Sequence, residues 1–363
     1  MYSVLHILTG DDGGITNVVK TYYKFMDREK IHFDIACTTK CEGSDLAEMR
    51  NMGAEIYHLP MKSLGLRQYI RSLKEILRQK DYHAIHVHES ETSYVALKVA
   101  KQCGIKCRIA HAHSSAPYTS IKNEIRRLSG IVLNYTYATT VVGCGLMAGE
   151  RIFGKINMKR KNAVILPNAI DMSKFNFDSS IRLLVRKELG VSDKFVVGFI
   201  GRLAPEKNLM FCLEVIKEYR RINANAVLMI AGAGIEESRI RQYIKEYRME
   251  EYVYLLGKRT DVERLYQAFD AFILPSLYEA FPLVAVEAIA AGLPVLLSTD
   301  ITPEFSFSQS VCYIKTNKVS GWVEYLHFVY EKYSRIEHLN ELDPNVFDIK
   351  RVSGKLEEIY LTK

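Results

Sequence analysis

The sequence lacks the features of a membrane-spanning or disulfide-stabilised protein. No apolar run approaches the roughly 20 residues that a membrane helix needs, and the amino-terminal MYSVLHILTG has the pattern of a strand, with no basic leader or cleavage site before it. The seven cysteines are an odd number, and the Cys37/Cys41 and Cys103/Cys107 pairs lack the two-residue gap of a zinc knuckle. We therefore predict an unprocessed cytoplasmic protein with reduced thiols and no metal.

The glycine-rich loop after the first strand lacks the standard nucleotide-binding fingerprints. Gly10 to Thr16 contains neither Gly-x-Gly-x-x-Gly nor Gly-Lys-Ser/Thr. Asp34 lies at the spacing from Gly13 that the acid of a nicotinamide site has, but the glycines do not fit, which disfavours an oxidoreductase. Paired glycines still let the backbone approach a ligand closely, and the alternative is a tight turn without a ligand.

Positive charge is distributed unevenly along the chain. The net charge is +7, and residues 1–165 hold 24 Lys and Arg against 15 Asp and Glu, so the amino-terminal half carries the excess. Its densest basic segments are Arg151 to Lys161 and Leu66 to Lys80, the latter with a helical apolar stripe of Leu66, Ile70, Leu73 and Leu77. Such segments can rest on an anionic membrane, attract an acidic acceptor, or pack on the core with a solvated basic outside. Nucleic acid is disfavoured because no aromatic residues interleave the basic ones.

Apolar strands alternate with helices along the whole chain. At 363 residues the chain exceeds the usual size of one hydrophobic core, so two domains are expected. Buried strands that alternate with helices indicate parallel sheets, and we predict an α/β protein with one sheet per half. The linker is predicted at Val164 to Asn168, and a final helix at Val346 to Leu361. The predicted strands are residues 4–8, 33–37, 55–59, 84–87, 106–112, 138–142, 195–200, 227–231, 252–256, 271–274 and 294–297.

The segment Pro275 to Ala288 places two carboxylates, Glu279 and Glu287, around the start of a helix. A buried strand precedes it, so both acids are expected at the carboxyl edge of a sheet, where open α/β sheets bind ligands. The helix is predicted to begin near Leu283, and its free N–H groups suit a phosphate flanked by hydroxyl-binding carboxylates. A sugar joined to a nucleoside through a diphosphate has that pattern. The alternative is that neither acid binds a ligand: Glu279 would be a helix-start acid favoured by the helix dipole, and Glu287 an ordinary solvated acid of the helix.

The corresponding loop earlier in the second half, Gly201 to Asn208, supplies two cations. Arg202 offers a fork of donors to phosphate oxygens. Lys207 is predicted at a helix start, where a lysine is unfavourable unless it faces an anion. We therefore predict that both face the same diphosphate.

Histidines follow two strands of the first half: His86, His88, His111 and His113. Glu89 and Glu91 could complete a metal site, but we disfavour metal. Two roles of these histidines stay open. They can form the rim of an active site at the carboxyl ends of the strands, or they can be purely structural.

Together these motifs resemble the retaining glycosyltransferases of the GT-B architecture, in the family four group (glycosyl transferases group 1) that builds capsular, exopolysaccharide and lipid-linked glycans. The resemblance spans the whole chain and implies two Rossmann-like domains whose parallel sheets face each other across a cleft. Residues 1–166 would bind the acceptor, with the helix at about 346–363 packed back on them, and residues 167–345 would bind the donor. The matching motifs are Gly13-Gly14-Ile15, Leu166-Pro167-Asn168-Ala169-Ile170-Asp171, Arg202-x4-Lys207-Asn208 and PS-x2-EAFPLVAVE with Glu279-x7-Glu287.

The resemblance also implies roles for individual residues. Glu279 would hold hydroxyls of the donor sugar, Glu287 the ribose hydroxyls, and His113, with His111 as the alternative, would lie near the reacting carbon. The implied catalytic residues are His113, Arg202, Lys207 and Glu279. The implied donor-binding residues are Gly13, Gly14, Ile15, Arg202, Lys207, Lys258, Arg259, Glu279, Phe281, Leu283, Val284 and Glu287, with Lys258 and Arg259 near the nucleobase. Pro282 departs from the glycine of many relatives and has no N–H to donate.

The implied activity is transfer of a hexose or N-acetylhexosamine from a nucleotide diphosphate sugar, with a UDP-sugar favoured, to a glycan or lipid-linked saccharide. No metal cofactor is expected, and residues 114–127 are expected to form a flap that selects the acceptor. Two alternatives remain: a nucleotide-sugar epimerase of the same fold, and a non-catalytic partner subunit of a glycosyltransferase.

Overall fold

The apolar runs of the sequence form the strands of two parallel sheets. They do so in a computed structural model that describes residues 1–115, 117 and 120–362, except the side chain of residue 122. The chain divides into unit 1, Met1–Ala169 with Asn345–Lys363, and unit 2, Ile170–Pro344. Each unit contains one sheet, and β-strands such as Phe195–Ile200 are buried along their whole length because helices cover both faces.

The strands follow one another in chain order. In unit 1 they are β1 Tyr2–Leu8, β2 Ile31–Cys37, β3 Ile56–His58, β4 Tyr82–Val87, β5 Cys107–Ala112, β6 Thr140–Gly143 and β7 Ala163–Ile165. In unit 2 they are β8 Phe195–Ile200, β9 Ala226–Ala231, β10 Val253–Gly257, β11 Ala271–Leu274, β12 Val295–Ser298 and β13 Val311–Ile314.

Helices connect the strands. They are α1 Gly14–Phe25, α2 Ser44–Asn51, α3 Leu66–Leu77, α4 Ser93–Gln102, α5 Ile121–Tyr137, α6 Leu146–Phe153, α7 Ser179–Glu188, α8 Leu209–Tyr219, α9 Glu237–Glu246, α10 Val262–Ala268, α11 Leu283–Ala290, α12 Val319–Lys332, α13 Pro344–Phe347 and α14 Ile349–Leu361. Short 3-10 turns lie between several of them.

Both sheets reverse their strand order beside their first strand. Unit 1 has the order β3-β2-β1-β4-β5-β6-β7, and unit 2 has β10-β9-β8-β11-β12-β13. In unit 1, Val4 of β1 lies between Phe33 of β2 and Ala84 of β4. The loops that leave β1 and β4, and those that leave β8 and β11, therefore diverge at the carboxyl edge and open a crevice there.

The prediction of two parallel, Rossmann-like halves is confirmed, whereas several boundaries differ. Val164 and Ile165 do not belong to a linker, because they pair with β6 as part of β7. β13 was not predicted. β6 begins at Thr140, two residues after its predicted start, because Ala138 is the C-cap of α5.

The apolar stripe predicted for residues 66–80 is rotated from the one observed. The buried residues of α3 are Tyr69, Leu73, Ile76 and Leu77, while Leu66 is 48% exposed. The aromatic ring of Tyr69 replaces Ile70 on the core side. The helix thus packs on its own domain, and its arginines face outward.

The last helix, α14, packs on α1 within unit 1. Its buried side includes Ile349, Val352, Leu356 and Tyr360, and the Asp27 N–H donates to Glu357 Oε1 at 2.8 Å. No helix among the described residues is both long and apolar enough to cross a bilayer.

Candidate active site

Lys207 and Glu279 meet at the crevice of unit 2. The Lys207 ammonium contacts the Glu279 carboxylate directly, and the Ser276 hydroxyl donates to Glu279 Oε1 at 2.9 Å. The main chain joins the two loops as well, because the Leu277 N–H donates to the Glu206 carbonyl at 2.8 Å. The topology therefore brings a cation and an anion that are 72 residues apart in sequence to one point.

Lys207 does not lie in the first turn of a helix as predicted. It ends a 3-10 turn, Pro205–Lys207, and Asn208, at a φ of 53°, separates it from α8. The anion that Lys207 faces in this structure is the Glu279 carboxylate. A residue of the protein itself thus supplies the anionic partner of this lysine.

Arg202 lies on the same loop but points into solvent. Its side chain is 72% exposed, and Nη2 donates to Glu206 Oε1 at 2.6 Å. An exposed pair of this kind contributes little stability. The guanidinium can therefore leave Glu206 for a more strongly charged partner at small cost.

The helix α11 begins at Leu283, as predicted, and Pro282 precedes it as the N-cap. The Pro282 carbonyl accepts from the Ala285 N–H at 3.1 Å. Across the part of the chain that the structure describes, the N–H groups of Leu283 and Val284 make no hydrogen bond, so both can donate to an anion. Phe281 is buried with its ring 5.1 Å from that of Phe305, so its side chain belongs to the core.

Glu287 lies one turn further into α11. The Tyr266 hydroxyl donates to Glu287 Oε2 at 2.8 Å and lies 3.1 Å from the Val284 carbonyl. Burial raises the pKa of the Glu287 carboxyl to about 7, although the bond from Tyr266 opposes the rise. Sequence reasoning missed Tyr266, because nothing in the spacing connects it to Glu287.

Lys258 and Arg259 are both exposed after β10. The Arg259 guanidinium forms a two-point ion pair with Asp261, at 2.8 and 2.6 Å. This bond to Asp261 raises the pKa of Arg259. Arg259 is thus held in place by its own loop.

Two glycines after β9, Gly232 and Gly234, were also missed. A Cβ at Gly232 would lie 1.8 Å from the Gly201 carbonyl oxygen, and a Cβ at Gly234 would lie 2.2 Å from that of Leu203. Only glycine allows the loop after β9 to pack against the loop that holds Arg202. The sequence signal was present, as Ala231-Gly232-Ala233-Gly234 directly after a strand.

In unit 1 the loop before α1 is closed by a carboxylate. Gly13, at a φ of 91°, donates its N–H to Asp45 Oδ2 at 3.1 Å, and Lys20 pairs with Asp45 at 2.6 Å. The N–H groups of Gly14 and Ile15 make no hydrogen bond among the described residues. The two predicted N–H donors, Gly14 and Ile15, therefore remain open to a ligand, whereas the N–H of Gly13 is used by Asp45.

Asp34 cannot act as the ribose acid of a nicotinamide site. It lies in the middle of β2, fully buried, with Lys80, Tyr82 and His32 on its carboxylate. Burial alone would raise the pKa of Asp34, but these hydrogen bonds outweigh it and hold the pKa far below its usual range. Asp34 is therefore not available to bind the ribose of a nicotinamide cofactor, which argues against the oxidoreductase alternative.

His111 and His113 differ in position. His111 is buried inside β5, whereas His113 follows the strand at its carboxyl end and is partly exposed. Two triads, His6/His86/His88 and His88/His111/His113, have ring nitrogens within 4.8 Å of one another, close enough to hold a metal. Most of these nitrogens already bond to each other, and Glu89 pairs with Lys62 at 2.5 Å. The residues 114–127 predicted as a flap include 116, 118 and 119, which lie outside the described residues.

The chain belongs to the glycosyltransferases. Residues 12–174 match the family model described as Glycosyltransferase Family 4, and residues 182–340 match that described as Glycosyl transferases group 1. With its two parallel-sheet units, the protein is a glycosyltransferase of GT-B fold.

Individual relatives and structures agree with this assignment. The putative glycosyltransferase EpsF of Bacillus subtilis is 29% identical over 82% of this chain and 79% of its own length. The capsular polysaccharide biosynthesis glycosyltransferase CapH of Staphylococcus aureus is 22% identical over 100% of this chain and 99% of its own. A crystal structure of Anabaena HepE in complex with UDP superimposes with a TM-score of 0.83, at 16% identity, over 99% of this chain and 100% of that one.

Proposed function

We propose that the protein transfers a hexose or N-acetylhexosamine from a UDP-sugar to a glycan or lipid-linked saccharide, with retention of anomeric configuration and without a metal. The observation that carries the proposal is the direct contact of Lys207 with Glu279, three residues before the N-cap of α11, whose first two N–H groups are free among the described residues. A cation, an anion and two N–H donors are what a diphosphate next to sugar hydroxyls requires.

Cleavage of the sugar–phosphate bond leaves negative charge on the diphosphate. In our proposal Lys207, Arg202 and the N–H groups of Leu283 and Val284 stabilise that charge as it grows, which lowers the barrier more than it tightens binding. Glu279 holds sugar hydroxyls, Glu287 holds the ribose, and His113 lies near the reacting carbon. Removing one such donor typically costs about 3 kcal/mol of barrier, or roughly 100-fold in kcat.

UDP is favoured as the nucleotide because of the relatives. Structures of HepE contain UDP and UDP-glucose. An Escherichia coli relative, 24% identical over 78% of this chain and 76% of its own, is named as a UDP-Gal galactosyltransferase that acts on a diphosphoundecaprenol-linked sugar. Together with CapH and EpsF, these names favour a role in capsule or exopolysaccharide synthesis.

The decisive test uses Lys207→Ala and Glu279→Ala in the full-length protein. Transfer of labelled sugar from UDP-glucose, UDP-galactose and UDP-N-acetylglucosamine to lipid-linked acceptors in membranes should fall at least roughly 100-fold in each variant. Lys187→Ala and Glu214→Ala remove exposed side chains of unit 2 and serve as matched controls. Wild-type transfer in the folded double variant would contradict the proposal. If the wild type releases an altered nucleotide sugar when no acceptor is present, the protein is an epimerase. If the wild type turns over none of the donors, it is a non-catalytic partner subunit.

We further propose that unit 1 touches an anionic membrane, where such acceptors lie. One side of α5 exposes Ile121, Ile125, Leu128 and Val132, which are 53 to 82% exposed and recur at helical spacing. The exposed basic residues Lys155, Lys159, Arg160 and Lys161 lie nearby, because Arg160 stacks over Tyr135 of α5 at 4.7 Å. An apolar stripe beside a basic cluster fits anionic lipid.

Vesicle flotation tests the membrane contact. The protein should float with phosphatidylglycerol vesicles and not with phosphatidylcholine vesicles, and Ile125→Gln with Leu128→Gln should abolish the binding. Ile235→Gln, at an isoleucine of unit 2 that is 83% exposed, is the control. Equal flotation of the double variant and the wild type would refute the role of α5.

A further inference from the structure

Three histidine rings of unit 1 lie together near the carboxyl ends of β4 and β5. His111 and His113 are two residues apart at the end of β5, so their side chains project to the same face of the sheet. Val87 of β4 pairs with Ala110 of β5, which places His88 beside His111. The ring centroids are 3.9 Å apart for His111 and His113, 5.0 Å for His88 and His113, and 5.2 Å for His88 and His111. One nitrogen of each ring lies within 4.8 Å of those of the other two.

The nitrogens of these rings are available to a metal ion. His88 Nδ1 and His113 Nε2 already face each other at 2.8 Å. His111 Nε2 is buried and has no hydrogen-bond partner among the described residues. Two nitrogens that bind one Zn²⁺ at about 2.1 Å with a tetrahedral angle lie about 3.3 Å apart. A metal ion would therefore replace the hydrogen bond between His88 and His113, lengthen its N···N distance by about 0.5 Å, and give the unpaired nitrogen of His111 a partner.

The outer nitrogens of two of these rings are held by further side chains. A histidine that binds a metal usually donates its second N–H to another group, which fixes the orientation of the ring. His88 Nε2 lies 3.1 Å from His6 Nδ1, and His111 Nδ1 lies 3.1 Å from His86 Nε2. His6 and His86 both reach the Tyr360 hydroxyl, at 3.3 and 2.6 Å, and its oxygen has two lone pairs that can accept from both. His88 and His111 can therefore donate outward at the same time.

The neighbouring triad of His6, His86 and His88 is a poorer site. All three side chains are buried, and both nitrogens of His6 and of His86 already have partners. A metal ion there would break several bonds and would lack a path from solvent. His113, in contrast, is partly exposed just beyond the end of its strand. It offers a metal ion that path.

Three imidazoles without a carboxylate select a particular class of metal. Imidazole suits Zn²⁺ and its first-row neighbours, whereas Mg²⁺, Ca²⁺ and Mn²⁺ prefer oxygen ligands. Glu89, which follows His88 in the chain, is bound by Lys62 and by the Tyr69 hydroxyl. Three histidines with an open fourth position are a known arrangement for Zn²⁺. The donor set therefore fits Zn²⁺.

We propose that His88, His111 and His113 form a Zn²⁺ site that is separate from the chemistry of transfer, and that Zn²⁺ bound there inhibits transfer. The sequence disfavoured a metal at these histidines, but it could not show that the three rings contact one another. Inhibition follows because the metal would hold His113 away from the reacting carbon. That second part rests on the proposed role of His113.

The test is a titration of the full-length protein, freed of metal by a chelator, with Co²⁺ and then with Zn²⁺. The wild type should bind one Co²⁺ per chain with the strong visible absorption of a tetrahedral site, and one equivalent of Zn²⁺ should remove that absorption. An excess of Mg²⁺ should leave it unchanged. His111→Gln and His113→Gln should each weaken binding by more than the roughly 10- to 100-fold that the loss of an outer partner costs. His327→Gln, at a partly exposed histidine of unit 2, is the control and should bind as the wild type does.

Either of two results overturns the site: no tetrahedral Co²⁺ absorption in the wild type, or equal affinity of the wild type and His113→Gln. Thermal unfolding of the metal-free variants shows whether they are folded. If His111→Gln is not, His113→Gln carries the test alone, because its side chain lies at the partly exposed end of the strand. Zn²⁺ should inhibit sugar transfer with the midpoint at which it binds. If Zn²⁺ binds and transfer continues, the site stands and the role of His113 in transfer is refuted instead.

Discussion

Glu287 occupies an unfavourable place for a carboxylate, and we expect that Glu287→Gln stabilises unit 2. Burial raises the pKa of Glu287 to about 7, with a small further rise from Glu263 and an opposing effect of Tyr266. An unfolded chain has a glutamate pKa of about 4.3, and each unit of difference corresponds to about 1.4 kcal/mol. The ionised carboxylate therefore costs the folded state about 4 kcal/mol, relative to a neutral group.

The sign of the effect depends on pH. Below about pH 4 the carboxyl is protonated in both states and costs nothing. As the pH rises from about 4 to 7, the unfolded state ionises first, so the stability of the wild type falls, and above the folded pKa the loss is complete. Glutamine carries no charge at any pH. The variant should be more stable than the wild type by up to about 4 kcal/mol at pH 8 and equal to it near pH 4.

Urea unfolding followed by tryptophan fluorescence measures this difference. The single tryptophan, Trp322, is fully buried in α12 of unit 2, so its emission reports on the correct unit. Glu214→Gln is the control, because Tyr243 donates to that glutamate at 2.6 Å in the same kind of pair, at the surface. A gap between Glu287→Gln and the wild type that is the same at pH 5 and pH 8 would refute the reasoning.

Two further predictions concern stability alone. Asp34→Asn should destabilise unit 1 by about 3 kcal/mol at pH 7, because it removes the buried partner of Lys80. Since the Asp34 pKa is lowered in the folded state, the difference in stability between the variant and the wild type should narrow as the pH falls below about 4. Hydrogen exchange of the β2 amides at pH 7 and below about pH 4 measures this difference. Gly198→Ala should destabilise unit 2 by about 3 kcal/mol, because its Cβ would lie 2.1 Å from the Phe269 ring, whereas Gly354→Ala, in open space on α14, should stabilise by up to about 1 kcal/mol in thermal unfolding.

The strands were predictable because long apolar runs leave few alternatives. The exceptions are short edge strands such as β7 and β13, three and four residues long, whose pairing comes from the neighbouring strand rather than from their own pattern. The error at α3 has a related cause. Tyr69 and Ile70 are both apolar, and only the packing of Tyr69 against the core, with its hydroxyl on Glu89 at 3.0 Å, selects the rotation of the helix.

The candidate site was predictable in its charged residues and not in the contacts that hold them. Glu279 and Lys207 stand out because each follows a strand of the second sheet, at the carboxyl edge where open α/β sheets bind ligands. Their contact with each other, the bond from Tyr266 to Glu287, and that from Gly13 to Asp45 depend on pairs far apart in sequence. The contacts among the histidines of unit 1 could not be predicted for the same reason, and the Tyr360 hydroxyl reaches His86 from the other end of the sequence.

The pairing of the charges within the site has a consequence for selectivity. Lys207 is bound to Glu279, and Arg202 to Glu206, so an incoming anion must displace a carboxylate from each cation that it uses. Inorganic phosphate or pyrophosphate would bind Lys207 and leave Glu279, which is only 14% exposed, with the Ser276 hydroxyl but without a cation. A largely buried carboxylate that loses its cation is costly. A diphosphate that is joined to a sugar satisfies both groups at once, because its oxygens replace the carboxylate on Lys207 and its hydroxyls donate to Glu279. We therefore infer that the Lys207–Glu279 pair rejects free phosphates and selects ligands in which phosphate and hydroxyls are covalently joined.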